Sequence, residues 1–325
     1  MSKALNKIYL SKTDLVEPFG IDESWLDVTN SAHLFGSGKF IADSLRKEVK
    51  EALGITISVG VSFNKVFAKL GSDYKKPDAT TEITRENMRQ MVWGMPVESL
   101  IFVGGSAQKS LQKINITTIG DLAAASRETL VKIMGKQGEM LFLYANGLDS
   151  SPVRSYFEQV LPKSVGNGMT FKRNLLGEED LKVAVFILCG EVSERLKDVG
   201  LFANGLSVSL KDPDFKVKNR QCILPSSTQS EGVLRKCALD LAVKNTDLKK
   251  PLRAVTITAI NLTPDSIKQT SLFGDDSDRE KQERLENAVA CLKKKMGNGV
   301  LESATVLASD LNEVQALKGH GEGEE

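Results

Sequence analysis

The 325-residue sequence has only two histidines, His33 and His320, and four scattered cysteines, Cys189, Cys222, Cys237 and Cys291, with no CxxC pair. That scarcity argues against a Cys/His zinc centre. Thiols so far apart read as the reduced cysteines of a cytoplasmic protein. Long apolar runs are missing as well: the longest, residues 183–189, falls far short of the roughly 20 residues a bilayer span needs. The opening MSKALNKIYLSKTD has no apolar core followed by a small-residue cleavage site, so no export signal is expected. Nor is there an excess of one charge: 43 Lys+Arg face 42 Asp+Glu. With 41% apolar and 26% charged residues, a wholly disordered or collagenous chain is excluded. The length suits two or three domains at roughly 100–200 residues each.

The near-zero charge conceals segregation. Residues 163–253 carry 16 Lys+Arg against 11 Asp+Glu, and residues 264–325 carry 8 against 13. A basic module followed by an acidic tail suits a polyanion-binding domain beside a protein-binding tail.

Periodicity fills in the elements. Residues 21–29 combine Ile21, Trp25 and a β-branched end, which predicts a strand. Phe40, Ile41, Leu45, Val49 and Leu53 recur at helical spacing up to Gly54, a helix terminator. Residues 55–61 predict a second strand, and Asn64 is placed to cap a helix over 65–74, with a turn at Pro77 and Asp78. Residues 86–152 are helical with glycine punctuation, and Pro152 and Pro162 flank a linker, 153–162. Beyond it come strands near 164–171, 203–211, 220–224 and 252–262, with helices near 179–199 and 231–244. In the tail, Leu285, Val289, Leu292 and Met296 form an apolar stripe on a helix over 280–296 expected to pack on the protein, and GHGEGEE reads as disordered. There is no internal repeat.

Asp22 and Glu23 are adjacent acids in an apolar strand context. Neighbouring strand residues face opposite sides, so both reach one site only from a strand end or a distortion. Two close carboxylates repel unless a cation or proton neutralises them, and oxygen ligands suit magnesium. In phosphoryl transfer such ions polarise the attacking hydroxyl and hold the leaving pyrophosphate. The alternative is one acid in solvent and the other capping a hairpin.

The run GIDESWLDVT resembles the central motif of the Y-family translesion DNA polymerases, and residues 57–83 (ISVGVSFNKVFAKLGSDYKKPDATTEI) look like the palm segment that follows it. Residues 98–124 are similar to the thumb and 163–171 to the start of the little-finger domain, so the likeness covers most of 14–264 in the family's order, nearest the bacterial polymerase IV type. The resemblance implies an α+β multidomain fold: a partial palm (1–85), a helical thumb with a helix-hairpin-helix (86–152), the linker, a little finger with a four-stranded sheet and two helices (163–264), and a tail (265–325). It implies a DNA-directed DNA polymerase acting in translesion synthesis and repair, with Mg²⁺ held by Asp22 and Glu23, the latter the catalytic acid. Lys76 matches a position that contacts the incoming deoxynucleoside triphosphate; read alone it is equally a solvated lysine at a helix end, as are Tyr74 and Lys75.

For primer-template DNA, Gly104 and Gly105 would offer backbone N–H groups to a phosphate, with Ser106 capping the next helix, where Phe102 replaces a glycine usual in the family. Gly166 and Gly168 would let the backbone approach a phosphodiester, helped by Lys163, Lys172, Arg173, Lys216, Lys218 and Arg220. Gln269, Leu272 and Phe273 resemble the peptide by which bacterial polymerases bind the sliding clamp. The family's first strand, which carries a further metal-binding Asp, and its fingers have no counterpart here, so very weak polymerisation or none by this chain alone is expected. A noncatalytic DNA- and clamp-binding protein, a chain complemented by a separate N-terminal polypeptide, and a truncated product without function are the alternatives. A monomer is expected.

Overall fold

The computed structural model describes residues 1–158, 161–264, 277–297, 300–301, 303–307 and 309–311. The chain divides into two compact units, Met1–Gln159 and Val160–Glu325.

The first unit begins with α1 (Ser2–Leu10), β1 (Val16–Phe19) and β2 (Glu23–Leu26). β1 and β2 pair antiparallel, with Phe19 opposite Glu23. The strand expected over 21–29 is present but shorter, as β2; its partner β1 and the hairpin turn at Gly20, whose φ of +83° is a left-handed conformation suited to glycine, were not expected. After α2 (Ala32–Phe35) comes α3 (Gly38–Leu53), started by the Ser37 hydroxyl, which accepts from Phe40 N at 3.3 Å, and ended by Gly54 at φ +67°. The strand expected over 55–61 is shorter and later, β3 (Val59–Ser62). Asn64 caps α4 (Lys65–Tyr74) as expected, accepting from Phe67 N at 2.9 Å. β4 (Thr80–Ile83), absent from the sequence reading, pairs parallel with β3.

Helices α5 (Met88–Val92), α6 (Gly105–Gln112), α7 (Ile119–Ala124), α8 (Arg127–Met134) and α9 (Lys136–Ala145) follow. Their core is continuous with that of α4: Val66, Phe67 and Leu70 cluster with Leu111, Leu122 and Leu141. A separate core joins Leu5 and Tyr9 to Val16, Ile41, Leu45 and Val49. Residues of the expected linker lie along β1: Arg154 N donates to the Glu17 carboxylate at 2.9 Å and Tyr156 N to Asp14 O at 3.2 Å.

The second unit is a four-stranded antiparallel sheet with two long helices, as expected. Its strands are β5 (Ser164–Leu175), β6 (Phe202–Lys211), β7 (Val217–Thr228) and β8 (Leu252–Thr263), in the order β5-β8-β6-β7. Helices α10 (Gly177–Asp198) and α11 (Glu231–Asn245) share a core with the buried residues of β8, Val255, Ile257 and Ala259. Helix α12 (Ser277–Met296) and the short α13 (Ala304–Leu307) follow. α12 docks as expected, but not by its apolar stripe: Leu285, Leu292 and Met296 are exposed. The anchor is the buried Glu286, whose carboxylate accepts from Glu231 N at 2.9 Å, Gly232 N at 3.0 Å and the Ser230 hydroxyl at 3.1 Å. A carboxylate at the N-terminus of α11 satisfies otherwise unpaired amides and complements the helix dipole.

Candidate functional site

Asp22 sits in the β1–β2 turn, exposed, and Glu23 is the first residue of β2, half-buried. The turn resolves the alternation problem, because a residue outside the ladder is not bound to one face of it. Lys69, one helical turn from Asp73 on α4, donates to Glu23 at 2.7 Å and to Asp73 at 2.8 Å. Lys76 donates to Asp73 at 2.7 Å. An alternating chain of charges, Glu23–Lys69–Asp73–Lys76, thus connects the two residues that sequence assigned to separate roles. Burial works against the charge on Lys69, but the hydrogen bonds it donates to Asp73 and Glu23 carry its pKa above the ordinary lysine value. Burial would raise Asp73, yet its bonds from Lys69 and Lys76 hold it below the ordinary carboxylate value.

A second ion-pair group fixes the hairpin. Glu17, buried on β1, accepts from Lys65 at 2.5 Å and from the Arg154 backbone and guanidinium. The Trp25 indole donates to Lys65 O at 2.9 Å, and its ring lies 4.6 Å from that of Phe19. Behind Lys76, Arg46 and Lys50 hold Asp78 at 2.8 and 3.2 Å. Sequence reasoning missed Glu17, Lys65, Lys69 and Asp73. The i, i+4 spacing of Lys69 and Asp73 was a usable signal; the pairing of Glu17 with Lys65 was not. Asp22, Glu23, Lys69 and Lys76 all border one cleft of about 800 Å³.

In the helical part, Gly104 is the N-cap of α6 and Gly105 its first residue, both exposed. The expected cap by Ser106 is not found, since Ser106 lies inside the helix. Phe102 has φ +67°. That is the left-handed region, which explains a glycine preference there. The helix expected before this turn is only a short 3-10 turn, Val97–Ser99.

In the second unit, Gly166 stands opposite Thr258 and Gly168 opposite Thr256. A Cβ on Gly168 would meet the Thr256 hydroxyl at 2.3 Å, so these glycines answer first to the neighbouring strand. Cross-strand rows Gly166–Thr258–Ser207–Gln221 and Gly168–Thr256–Ser209–Asn219 form the face away from the helices. The next row adds Lys211, unforeseen from sequence, and no acid lies in any of the three. Lys218 and Arg220 stand opposite Leu210 and Val208, on the helix side, where Arg220 donates to Asn245 at 3.0 Å. Arg173 is held by Asp180 and Asp310, at 2.7 Å for the latter. Lys163, Lys172 and Lys216 are exposed. Gln269, Leu272 and Phe273 lie outside the described residues.

Comparison with known proteins matches the impB/mucB/samB family over residues 1–73, the DNA polymerase-iota thumb domain over 99–149 and the impB/mucB/samB family C-terminal domain over 162–272. DNA polymerase IV of Acetivibrio thermocellus is 42% identical over 297 residues, 91% of this chain and 74% of that protein. DNA polymerase IV of Moorella thermoacetica is 34% identical over 306 residues, 94% and 76% of the two chains. The chain belongs to the Y-family DNA polymerases. A Y-family DNA polymerase chimera of Dbh and Dpo4 shares the fold, with a TM-score of 0.70 at 23% identity over 80% of this chain and 74% of that one.

Y-family polymerases use a divalent metal. Asp22 and Glu23 offer the oxygen donors a hard cation prefers. Among the described residues, however, no group of three or more His, Cys, Asp or Glu side chains gathers to hold a metal ion. Glu23 is already paired with Lys69. For a Y-family metal site the donors fit in kind and fall short in number. No helix among the described residues is long and apolar enough to cross a membrane.

Proposed function

We propose that this chain works as a translesion DNA polymerase, transferring a deoxynucleoside monophosphate to a primer 3′-hydroxyl with release of pyrophosphate. The observation that carries the reading is the Asp22–Glu23 turn opening on a cleft, in a chain 42% identical to a DNA polymerase IV. Magnesium, when bound, would neutralise the triphosphate and polarise the hydroxyl. Asp22 and Glu23 supply only part of its ligands, so no step is derived through it. The chain's own contribution is positioning. Lys69 orients Glu23, Asp73 orients Lys76, and the Lys76 ammonium is the candidate contact to the triphosphate. Residues 1–85 act as palm, 86–152 as thumb, 153–162 as linker and 163–264 as little finger. Gly104 and Gly105 meet a DNA phosphate through backbone N–H groups, and the acid-free sheet face lies along the duplex. Gln269, Leu272 and Phe273 in the tail (265–325) bind a sliding clamp. The protein works as a monomer in the cytoplasm.

Primer extension with the purified chain and Mg²⁺ tests the proposal. Weak incorporation that Asp22→Ala abolishes supports it; incorporation indifferent to Asp22→Ala rejects it. The incomplete donor set favours a second reading, a noncatalytic DNA- and clamp-binding protein. Under that reading no incorporation occurs, Asp22→Ala leaves duplex affinity unchanged in a gel shift, and removal of 163–264 abolishes it.

A further inference from the structure

Lys76 stands on the connection between α4, which ends at Tyr74, and β4, which begins at Thr80. Lys76, Pro77 and Asp78 all line the cleft that Asp22 and Glu23 border. Asp73 holds the Lys76 ammonium. The backbone beneath that ammonium is held separately, by α3. Arg46 donates to Asp78 Oδ1 from Nε at 3.1 Å and from Nη2 at 2.8 Å, and from Nη2 to Asp78 O as well. Lys50, one turn further along α3, donates to Asp78 Oδ2 at 3.2 Å. Asp43, one turn before, accepts from the Thr80 hydroxyl at 2.6 Å and from Arg46 Nη1 at 3.2 Å. Asp43, Arg46 and Lys50 recur at three- and four-residue spacing, so one face of α3 grips the connection at Asp78 and Thr80.

This grip differs from an ordinary surface ion pair. Asp78 has φ +52°, in the left-handed region that aspartate tolerates without favouring. One guanidinium takes both its carboxylate and its carbonyl, and so fixes main chain along with side chain. A planar fork can do this; an ammonium is a point charge and cannot. Bonds from Arg46 and Lys50 hold the Asp78 carboxyl below the ordinary carboxylate value, so it remains an anion at neutral pH. Only Pro77, with its restricted φ, separates Asp78 from Lys76, so a shift of Asp78 moves Lys76 with it. α3 faces the cleft with Ile41, Ala42 and Leu45, and Arg46 does not line it.

We infer that Arg46 is a positioning residue for nucleotide binding: through Asp78 it sets the place of Lys76, and with it the triphosphate contact, without meeting the nucleotide itself. Its role rests on the proposed contact of Lys76 with the triphosphate. Small displacements of a binding group are costly even when their source lies away from the ligand. A guanidinium that served the fold alone would change affinity, where it changed it at all, independently of Lys76.

Titration of the full chain with the fluorescent nucleotide mant-dATP in Mg²⁺, read by anisotropy, provides the test, with urea unfolding to establish that each variant is folded. Lys76→Ala weakens binding about tenfold, as loss of a charge-assisted hydrogen bond requires. Arg46→Met weakens it about threefold or more, and Arg46→Lys, which keeps the charge without the fork, also weakens it. In the Lys76→Ala background neither Arg46 substitution has a further effect, because the two residues act as one unit. Losses that add, or affinity unchanged by the Arg46 substitutions while Lys76→Ala weakens it, overturn the role of Arg46 and leave the Lys76 contact standing. Affinity indifferent to Lys76→Ala, or no binding of mant-dATP, rejects the contact and the role of Arg46 with it. Should Arg46→Met fail to fold, Arg46→Lys completes the same cycle.

Discussion

Glu17 shows how much a single side chain does for the acid hairpin. It is 8% exposed, yet three donors from Lys65 and Arg154 meet its carboxylate. Burial alone would raise its pKa; the hydrogen bonds from Lys65 and Arg154 prevail and hold it below 4.5. Asp73 is likewise held below 3.8. A depressed carboxylate contributes stability that is complete above its unfolded pKa and is lost as the pH falls through the folded value. Urea unfolding should therefore show stability declining below about pH 4.5. Glu17→Ala leaves the Lys65 ammonium unpaired at a largely buried site and should cost about 3 kcal/mol at neutral pH. The same variant should flatten the acid limb, and an unchanged acid limb would show that Glu17 is not its source. Lys69 has the opposite sign: its raised pKa gives stability present below 10.5 and lost at more alkaline pH.

Between elements, close contact between β3 and α4 holds the cleft wall. A Cβ on Gly60 would lie 1.8 Å from Ala68 O. No rotamer relieves a clash with backbone, so Gly60→Ala must move α4 away from β3. The variant should lose about 1–3 kcal/mol. Trp25 reports the shift, because its indole bonds to Lys65 O at the start of α4. Its fluorescence should move to longer wavelength in the native variant, and an unchanged spectrum and stability would contradict the packing. Thr118 and Asp121 cap α7 reciprocally, with the Asp121 pKa drawn down to about 2 by N–H groups of Thr117 and Thr118. Thr118→Ala should cost about 1 kcal/mol in urea unfolding; a neutral result would mean the cap is dispensable.

For the whole molecule, the proposed function makes the open sheet face of the second unit the surface that would meet nucleic acid. Its central rows carry hydroxyls, glycines and Lys211 rather than a dense cationic array. Phosphate contact through lysines makes affinity fall with salt, with a slope of about −0.9 per neutralised phosphate on duplex DNA. Lys211→Ala should lower that slope by about 1 in anisotropy titrations of a duplex. Arg173→Ala should leave it unchanged, because Asp180 and Asp310 already neutralise the guanidinium. The reverse order would move the DNA-facing surface to the β5 end.

Much of this architecture is local in origin and was therefore readable in the sequence. The caps at Asn64 and Gly54, the long helices and the alternating strands of the second unit follow from residue type and spacing within a few turns. The adjacent acids Asp22 and Glu23 and the family-like segments were legible for the same reason, being contiguous runs. The hairpin at Gly20, the parallel pairing of β4, the Glu17–Lys65–Arg154 group and the Glu286 anchor were not, because each joins residues that only packing brings together. Burial also decided which cations face open sheet and which face helix, since alternation along β7 has no sign until one side is covered. The sequence by itself determined which groups can carry charge; the tertiary structure decided which charges find partners, because an ion pair depends on distance through space and on the water excluded around it.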